Sequence, residues 1–254
     1  MPFSAATSRR SRLAYSTLAL LLAGAAGAVN ATSFFAFGHH ITHMTGHVSE
    51  VGEAVANGQW GGALVAGRMV FSFLVGAITA AALLDASRHR HRGRHAPALL
   101  VETVTLGAVG LWAYEHPDAN EPTLMWGLAF AMGLQNALVT RVSGAVVRTT
   151  HLTGVLTDIG IQTVRMVVWV RDGARERGLR GLWNKVLDLP SAEQFERTRL
   201  HLGLAFAFLT GSILGSVLFL HYGAPAMAVP CVVLLLVMAL DISPAGSHIP
   251  ATSS

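Results

Sequence analysis

One polar motif occurs twice in this chain, and its residue types suit the binding of a small polar solute and the movement of a proton. The pattern Thr-His-x-Thr-Gly-x-x-(Ser/Thr)-(Glu/Asp)-x-Gly occupies residues 42–52 and again 150–160, a constant offset of 108. On a helix its hydroxyl residues lie three or four positions apart and share a face, and histidine titrates near physiological pH. We therefore predict a site in which hydroxyl groups contact solute and a histidine and an acid carry protons. Its members are Thr42, His43, Thr45, Gly46 and Glu50 in the first copy, and Thr150, His151, Thr153, Gly154, Thr157 and Asp158 in the second.

A second repeated run adds an amide to each copy. The run Gly-Ala-Val-Asn-Ala at 27–31 reappears as Gly-Leu-Gln-Asn-Ala at 133–137. Asn30 and Asn136 therefore hold matching positions, and we predict that they join the two motif copies in one central site. A helix-packing seam is the alternative, but it explains only the threonines and glycines and leaves the matched histidines and acids without a role.

The histidines around the first copy raise the possibility of metal binding. His39, His43 and His47 recur every four residues, so on a helix their imidazoles would share a face, as zinc ligands can. The second copy matches only His43, by His151. A surface histidine cluster is the simpler interpretation, and we predict no metal and no cofactor.

The composition indicates that the segments that position these residues lie in a lipid bilayer. Hydrophobic residues make up 52% of the chain and charged residues 13%, and the mean hydropathy is +0.49. A transmembrane helix needs about 20 mainly apolar residues. We predict an all-α integral membrane protein whose partner is the lipid bilayer. Its six transmembrane helices are expected at roughly 13–37, 61–85, 96–114, 123–147, 201–220 and 224–241.

Charge sets the predicted topology. Arginines crowd the N-terminal tail, the loop at 88–94 and the segment 165–199, whereas the loop at 115–122 is acidic. The positive-inside rule places the basic regions and both termini in the cytoplasm. The basic pI therefore needs no nucleic acid to explain it. The first apolar run could be read as a signal peptide, but it continues past the small-residue site, so we expect it to be retained.

The chain is predicted to consist of two three-span halves of inverted topology. Residues 73–78 match 208–213, and Ala-Pro-Ala opens the third span of each half at 96 and at 224. Because each half has an odd number of spans, the second enters the membrane from the opposite side, an architecture typical of transporters. The motif helices are expected to be short and broken or re-entrant. The predicted parts are a basic cytoplasmic tail at 1–12, the halves 13–116 and 123–241, and a disordered tail at 243–254.

Three further features lie outside the repeated motifs. The insertion at 165–199 in the second half mixes tryptophans and leucines with arginines, which fits either an interfacial helix or a solvated loop. Arg68 and Glu102 lie inside predicted spans, and we expect each to extend towards the nearest interface.

Several of these runs resemble a known family. Thr45-Gly46, the run at 133–137 and the second motif with its flank at 148–158 are similar to the YoaK-like family of bacterial multi-span inner-membrane proteins, a domain of unknown function. The resemblance covers about residues 15–240, and it implies a bacterial inner-membrane protein. Members commonly have Asn after the first Thr-Gly, where this chain has His47.

These observations favour a transporter or exporter of a small polar solute or ion, in which the histidines and acids would couple transport to protons. The alternative is an intramembrane enzyme that uses a His/Asp pair for acid–base chemistry. We do not expect an enzyme, because Cys231 is isolated and Ser143-Gly144 lacks the sequence of a nucleophile elbow. Channel or carrier, and the oligomeric state, remain open at this stage.

Overall fold

The structure, a computed structural model, describes residues 9–90, 92–116, 122–142 and 152–242. Within these ranges the chain is helical and contains no strand, which confirms the all-α prediction. The helices are α1 (Arg9–Phe37), α2 (Met44–Ala56), α3 (Trp60–Ala86), α4 (Ala96–Glu115), α5 (Pro122–Val142), α6 (Leu152–Asp188), α7 (Glu196–Tyr222) and α8 (Ala228–Ile242).

Five stretches of the described chain are long and apolar enough to cross a membrane. They coincide with five of the six predicted spans. The predicted fourth span corresponds to α5, which carries Gln135 and Asn136 and is not among the five. Much of α5 is buried by neighbouring helices, so its side chains need not be as apolar as those that face lipid. The five stretches are Ser16–Phe37, Trp60–Ala86, Ala96–Glu115, Glu193–Tyr222 and Ala224–Ile242.

Helices α3 and α5 run side by side in the same direction. Near their starts the Arg68 guanidinium lies 4.9 Å from the centre of a Trp126 ring. Near their ends Arg141 and Asp85 form an ion pair at 3.0 Å. Between these contacts the backbones meet at glycines, described below. The two helices therefore stay together over most of their length.

Helices α1 and α7 form a second parallel pair. Gly24 packs against the carbonyl of Ala207, and about three turns later the rings of Phe35 and Phe219 stack with their centres 6.1 Å apart. The Ser212 hydroxyl donates a hydrogen bond of 3.2 Å to the Gly27 carbonyl between these two contacts.

Within each parallel pair the two helices cross at a glycine. The two glycines hold matching positions in the sequence repeat. A Cβ added to Gly133 would lie under 3.0 Å from the Phe73 carbonyl, and one added to Gly27 would lie equally close to the Phe208 carbonyl. In the repeat, Gly27 matches Gly133 and Phe208 matches Phe73. Only glycine permits so close an approach of two helix backbones. The reciprocal contacts match as well: Gly76 meets Phe130, and Gly211 meets Gly24 at the aligned positions.

Helices α4 and α8 run antiparallel. The Asp241 carboxylate, at the end of α8, accepts hydrogen bonds from the backbone amides of His95 and Ala96 at 2.9 and 3.1 Å. Its other oxygen lies 2.8 Å from His95 Nδ1. At the opposite end of the pair Gly110 packs against Met227. The start of α4 is thus fastened to the end of α8.

The chain forms two compact units, residues 1–150 with 207–254 and residues 151–206. In the second unit α6 folds back on itself at Arg177 and Gly178, whose φ of +61° favours glycine. Gly173 and Gly181 then touch backbone to backbone. The predicted insertion at 165–199 is therefore largely a helical hairpin. Its second arm exposes three large apolar side chains at four-residue spacing, Leu179, Trp183 and Leu187.

Candidate functional site

The first motif copy lies at the turn between α1 and α2. Helix α1 ends at Phe37, where Gly38 takes a φ of +75°, and α2 begins at Met44 with His43 as its N-cap residue. The His43 ring lies over Gly46, where an added Cβ would come within 2.9 Å of Nδ1. Glycine at this position therefore makes room for the His43 ring.

Asn30 connects α1 to this turn. Its Oδ1 accepts hydrogen bonds from the Thr42 backbone amide at 3.1 Å and from the Thr42 hydroxyl at 2.8 Å. Its Nδ2 lies 3.3 Å from His40 Nδ1. The structure thus brings together two residues of the predicted site, Asn30 and Thr42, and adds His40.

A buried histidine lies beside the acid of the first copy. His47 is 2% exposed, with Nδ1 at 3.0 Å from Glu50 Oε2 and Nε2 at 3.2 Å from the His40 carbonyl. Both neighbours are hydrogen-bond acceptors, so only the doubly protonated imidazolium can donate to both. The arrangement is a buried histidine in contact with a carboxylate.

The donor atoms of His39, His47 and Glu50 lie within 4.8 Å of one another, a spacing that a metal ion could bridge. His43, the other weak metal candidate, is not in this group. Both ring nitrogens of His47 already have hydrogen-bond partners, and an ion would have to displace them. The cluster as described is therefore arranged for hydrogen bonding, and the absence of a metal stays a prediction.

The second motif copy opens α6. Thr150 and His151 lie outside the described residues. In the described chain α6 runs from Leu152 to Asp188. The Thr157 hydroxyl donates to the Thr153 carbonyl at 2.9 Å, just as Ser49 donates to the Thr45 carbonyl at 3.1 Å in the first copy. The two copies therefore share a local hydrogen bond within a helix.

The acid of the second copy also has a histidine partner. Asp158 Oδ2 lies 3.8 Å from Nδ1 of His201, a residue of α7 in the same unit; the His201 side chain is 8% exposed and that of Asp158 57%. Val155 takes the place of His47 and is buried. Each copy thus pairs its acid with a buried histidine, but the histidine comes from a different place in the chain.

Other predicted site residues lie apart from these pairs. Thr45, Thr153 and Thr157 are exposed on their helices, and Gly154 is half-buried. Asn136 lies half-buried on α5, and its carbonyl accepts a hydrogen bond of 2.7 Å from Thr140.

Sequence reasoning named His43 and His151 as the histidines of the site, considered His47 only as a weak metal ligand, and did not consider His201. The i, i+3 spacing of His47 and Glu50 on one helix was a usable signal. No local spacing links Asp158 to His201, which lies on another helix.

The expectation that Glu102 reaches an interface is wrong. Its side chain is fully buried within the helices, because the face of α4 that carries it is covered by protein. Arg68, by contrast, is exposed, and its extension towards an interface stays a prediction.

The helical fold, five apolar helices of spanning length and polar pairs at the motif helices are typical of a membrane-spanning protein. The chain belongs to the family described as "Protein of unknown function (DUF1275)", whose model matches residues 18–240. No curated protein matches the chain. No solved structure matches it either.

Proposed function

We propose that this protein is a proton-coupled transporter or exporter of a small polar solute or ion. In this proposal it spans the inner membrane of a bacterium six times, as two inverted halves, with both termini in the cytoplasm. The single observation that carries the functional part is the repeated pairing of the motif acid with a buried histidine, Glu50 with His47 and Asp158 with His201.

The packing of the helices supports two related halves. The contacts of α1 with α7 are made by residues that match those joining α5 with α3. Helices α4 and α8 lie antiparallel, and the same Ala-Pro-Ala run opens α4 and the short turn directly before α8. Antiparallel copies of one element are expected when the second half is inverted.

The length and packing of α5 support its role as the sixth span. Its 21 residues extend about 31 Å at 1.5 Å per residue, close to the thickness of the hydrocarbon core. It stays beside α3 from the Arg68–Trp126 contact to the Arg141–Asp85 ion pair.

Proton coupling follows from the chemistry of the pairs. A histidine and a carboxylate that share a proton change their net charge when the proton leaves. In the first copy that change would also release the contact of His47 with the His40 carbonyl, and Asn30 links His40 to the turn before α2. Loss of a proton could therefore move the turn that holds the Thr42 hydroxyl.

An intramembrane enzyme would use the same groups for acid–base catalysis. One active centre needs only one such pair, whereas each copy of the motif has its own. The Cys231 thiol, a candidate nucleophile, donates its weak hydrogen bond of 3.9 Å to the Thr103 carbonyl and not to a base. Transport therefore fits the repeated pairs better.

The test is proton movement in liposomes that contain the purified protein and an entrapped pH-sensitive dye. Inorganic cations, organic cations, organic anions and amino acids are added in turn. At least one class should change the internal pH in the presence of protein and not in protein-free liposomes. Glu50→Gln and Asp158→Asn should abolish that change, and His151→Ala is expected to do the same. If no class moves protons or enters the liposomes itself, transport is the wrong function.

Glu53→Gln is the matched control for Glu50→Gln. Glu53 lies on the same helix, one turn further on, and is exposed. Its neutralisation should leave solute-driven proton movement unchanged. Equal losses in both variants would point to a general effect of charge on α2, and would contradict the role of the His47–Glu50 pair.

A further inference from the structure

Glu102 is a fully buried acid that belongs to neither of the two motif sites. It lies on α4 with no exposed surface, and among the described residues neither carboxyl oxygen has a hydrogen-bond partner. Helices α8, α5 and α3 and the short turn before α8 pack against α4. Within the described chain they bring no charged group into interaction with this carboxyl. The titratable neighbour is the Cys231 thiol on α8.

The position of Glu102 in the repeat is unusual. The next residue, Thr103, accepts the hydrogen bond of Cys231, and the aligned Ala-Pro-Ala runs make Thr103 and Cys231 matching residues. Matching residues that touch each other lie close to the axis that relates two copies. Glu102 is therefore beside this axis, about 5 Å along α4 from the middle of the helix. At the matching place α8 has Pro230 and no second acid.

The chemistry of such a group is restricted. An ionised carboxylate without a partner in an apolar interior is strongly disfavoured, so the acid must be neutral in this conformation. A neutral acid that makes no hydrogen bond adds nothing to packing that an apolar residue could not provide. Its retention inside a membrane helix points to a function that needs the proton to leave.

Other buried polar atoms in the same unit also have no hydrogen-bond partner among the residues that the structure describes. They are the Thr32 hydroxyl on α1 and, on α5, the Trp126 indole nitrogen and the Gln135 carbonyl oxygen. Buried polar groups in proteins are nearly always satisfied by protein or by water. Helix α5 packs against both α1 and α4, so the helices that carry these atoms adjoin one another. Entry of water between them would give these atoms partners and would hydrate an ionised Glu102.

We propose that Glu102 is a proton-binding site inside the membrane, occupied in the conformation described and emptied when water enters between α1, α5 and α4. This site is separate from the His47–Glu50 pair. Its use in coupling rests on the proposed transport function, but the binding of the proton does not. The ligand of the site is the proton itself.

The experiment uses dicyclohexylcarbodiimide, an apolar reagent that modifies protonated carboxyl groups within membranes. The acid gives its proton to a carbodiimide nitrogen and its oxygen bonds to the central carbon, so the adduct keeps every atom of both reactants. The full chain in liposomes is treated at several values between about pH 5 and pH 9, a range that brackets the titration of perturbed carboxyls. Peptide mass spectrometry then locates the adduct.

The proposal expects an adduct on Glu102 that decreases as the pH rises. Asp85 is the internal control, because its side chain is 58% exposed and paired with Arg141; it should remain unmodified. Glu102→Gln should lose the adduct and keep the wild-type melting temperature, since the amide resembles the neutral acid in shape and charge.

Three results would overturn the proposal. One is no adduct on Glu102 at any pH, and another is modification that does not change with pH. The third is a Glu102→Gln protein with a clearly lower melting temperature, which would indicate an ionised, paired Glu102. Because none of these readouts requires a solute, Glu102 can fail while transport stands, and the reverse is also true.

Discussion

The two halves of the chain agree in their helix crossings and differ in their motif sites. Gly27 and Gly133 meet matching carbonyls on the partner helices, yet the acids that hold matching places find different histidines. Glu50 meets His47 on its own helix at 3.0 Å, and Asp158 meets His201 on α7 at 3.8 Å. A backbone contact at glycine tolerates no change of residue, whereas a buried imidazole can approach a carboxylate from more than one element. The repeat therefore constrains the backbone contacts. It does not constrain which helix supplies the histidine.

The largest effect is expected at the helix crossings. Gly27→Ala and Gly133→Ala each place a Cβ against a backbone carbonyl that cannot rotate away, so each should destabilise the protein by about 3 kcal/mol. Thermal unfolding in detergent measures this. Gly107→Ala on α4, where nothing lies within 4 Å of an added Cβ, should not lower the melting temperature. A large loss for only one of the crossing variants would break the equivalence of the halves.

Replacement of His47 should destabilise the protein more than replacement of His201. His47→Gln removes a buried group with two hydrogen-bond partners and is expected to cost about 2 kcal/mol. His201→Gln should cost less than about 1 kcal/mol through its ion pair, because Asp158 is largely exposed and screened by water. Melting temperatures of both variants, and of each combined with loss of its acid, give the coupling energies. A weaker coupling for His47 than for His201 would contradict this order.

The loss of stability on replacing Asn30 should lie between the losses expected for the two histidine variants. Asn30→Ala removes the acceptor of two hydrogen bonds from Thr42, which corresponds to about 1 to 2 kcal/mol. Thr42→Val removes only the hydroxyl donor and should cost about half as much. Denaturation of the two single variants and the double variant checks whether the losses overlap. Additive losses would show that Asn30 and Thr42 do not act together.

The smallest change in stability is expected at the exposed hydroxyl residues that hold matching positions in the two motif copies. Ser49→Ala and Thr157→Ala each remove an exposed hydroxyl that bonds to its own helix, and each should change stability by less than about 0.5 kcal/mol. The same unfolding measurement applies. A marked loss at either position would indicate a contact that the other copy lacks.

Much of the fold was predictable from the sequence because apolar length and repeated motifs are local signals. The apolar runs at 61–85 and 96–114, for example, correspond to the helices α3 and α4. The α5 helix was predicted as well, although its amides keep it out of the stretches recognised as spans by composition.

The parts that the sequence did not reveal depend on contacts between distant residues. Asp158 and His201 lie on different helices, and no spacing rule connects them. Glu102 was expected to reach an interface because its distance from the helix end is easy to count, but which face of α4 is covered is decided by packing. The fold-back of α6 at Gly178 was missed because a single glycine within a basic segment is a weak turn signal.

The side of the membrane on which each motif helix lies tests the central claim most directly. Cysteine is introduced by Ser49→Cys or Thr157→Cys into a Cys231→Ala background, at exposed positions that hold matching places in the two copies. A maleimide that cannot cross membranes is then applied to intact cells and to inside-out vesicles. Inverted halves predict labelling of Ser49→Cys from outside only and of Thr157→Cys from the cytoplasmic side only. Labelling of both from the same side would contradict the inverted, six-span account.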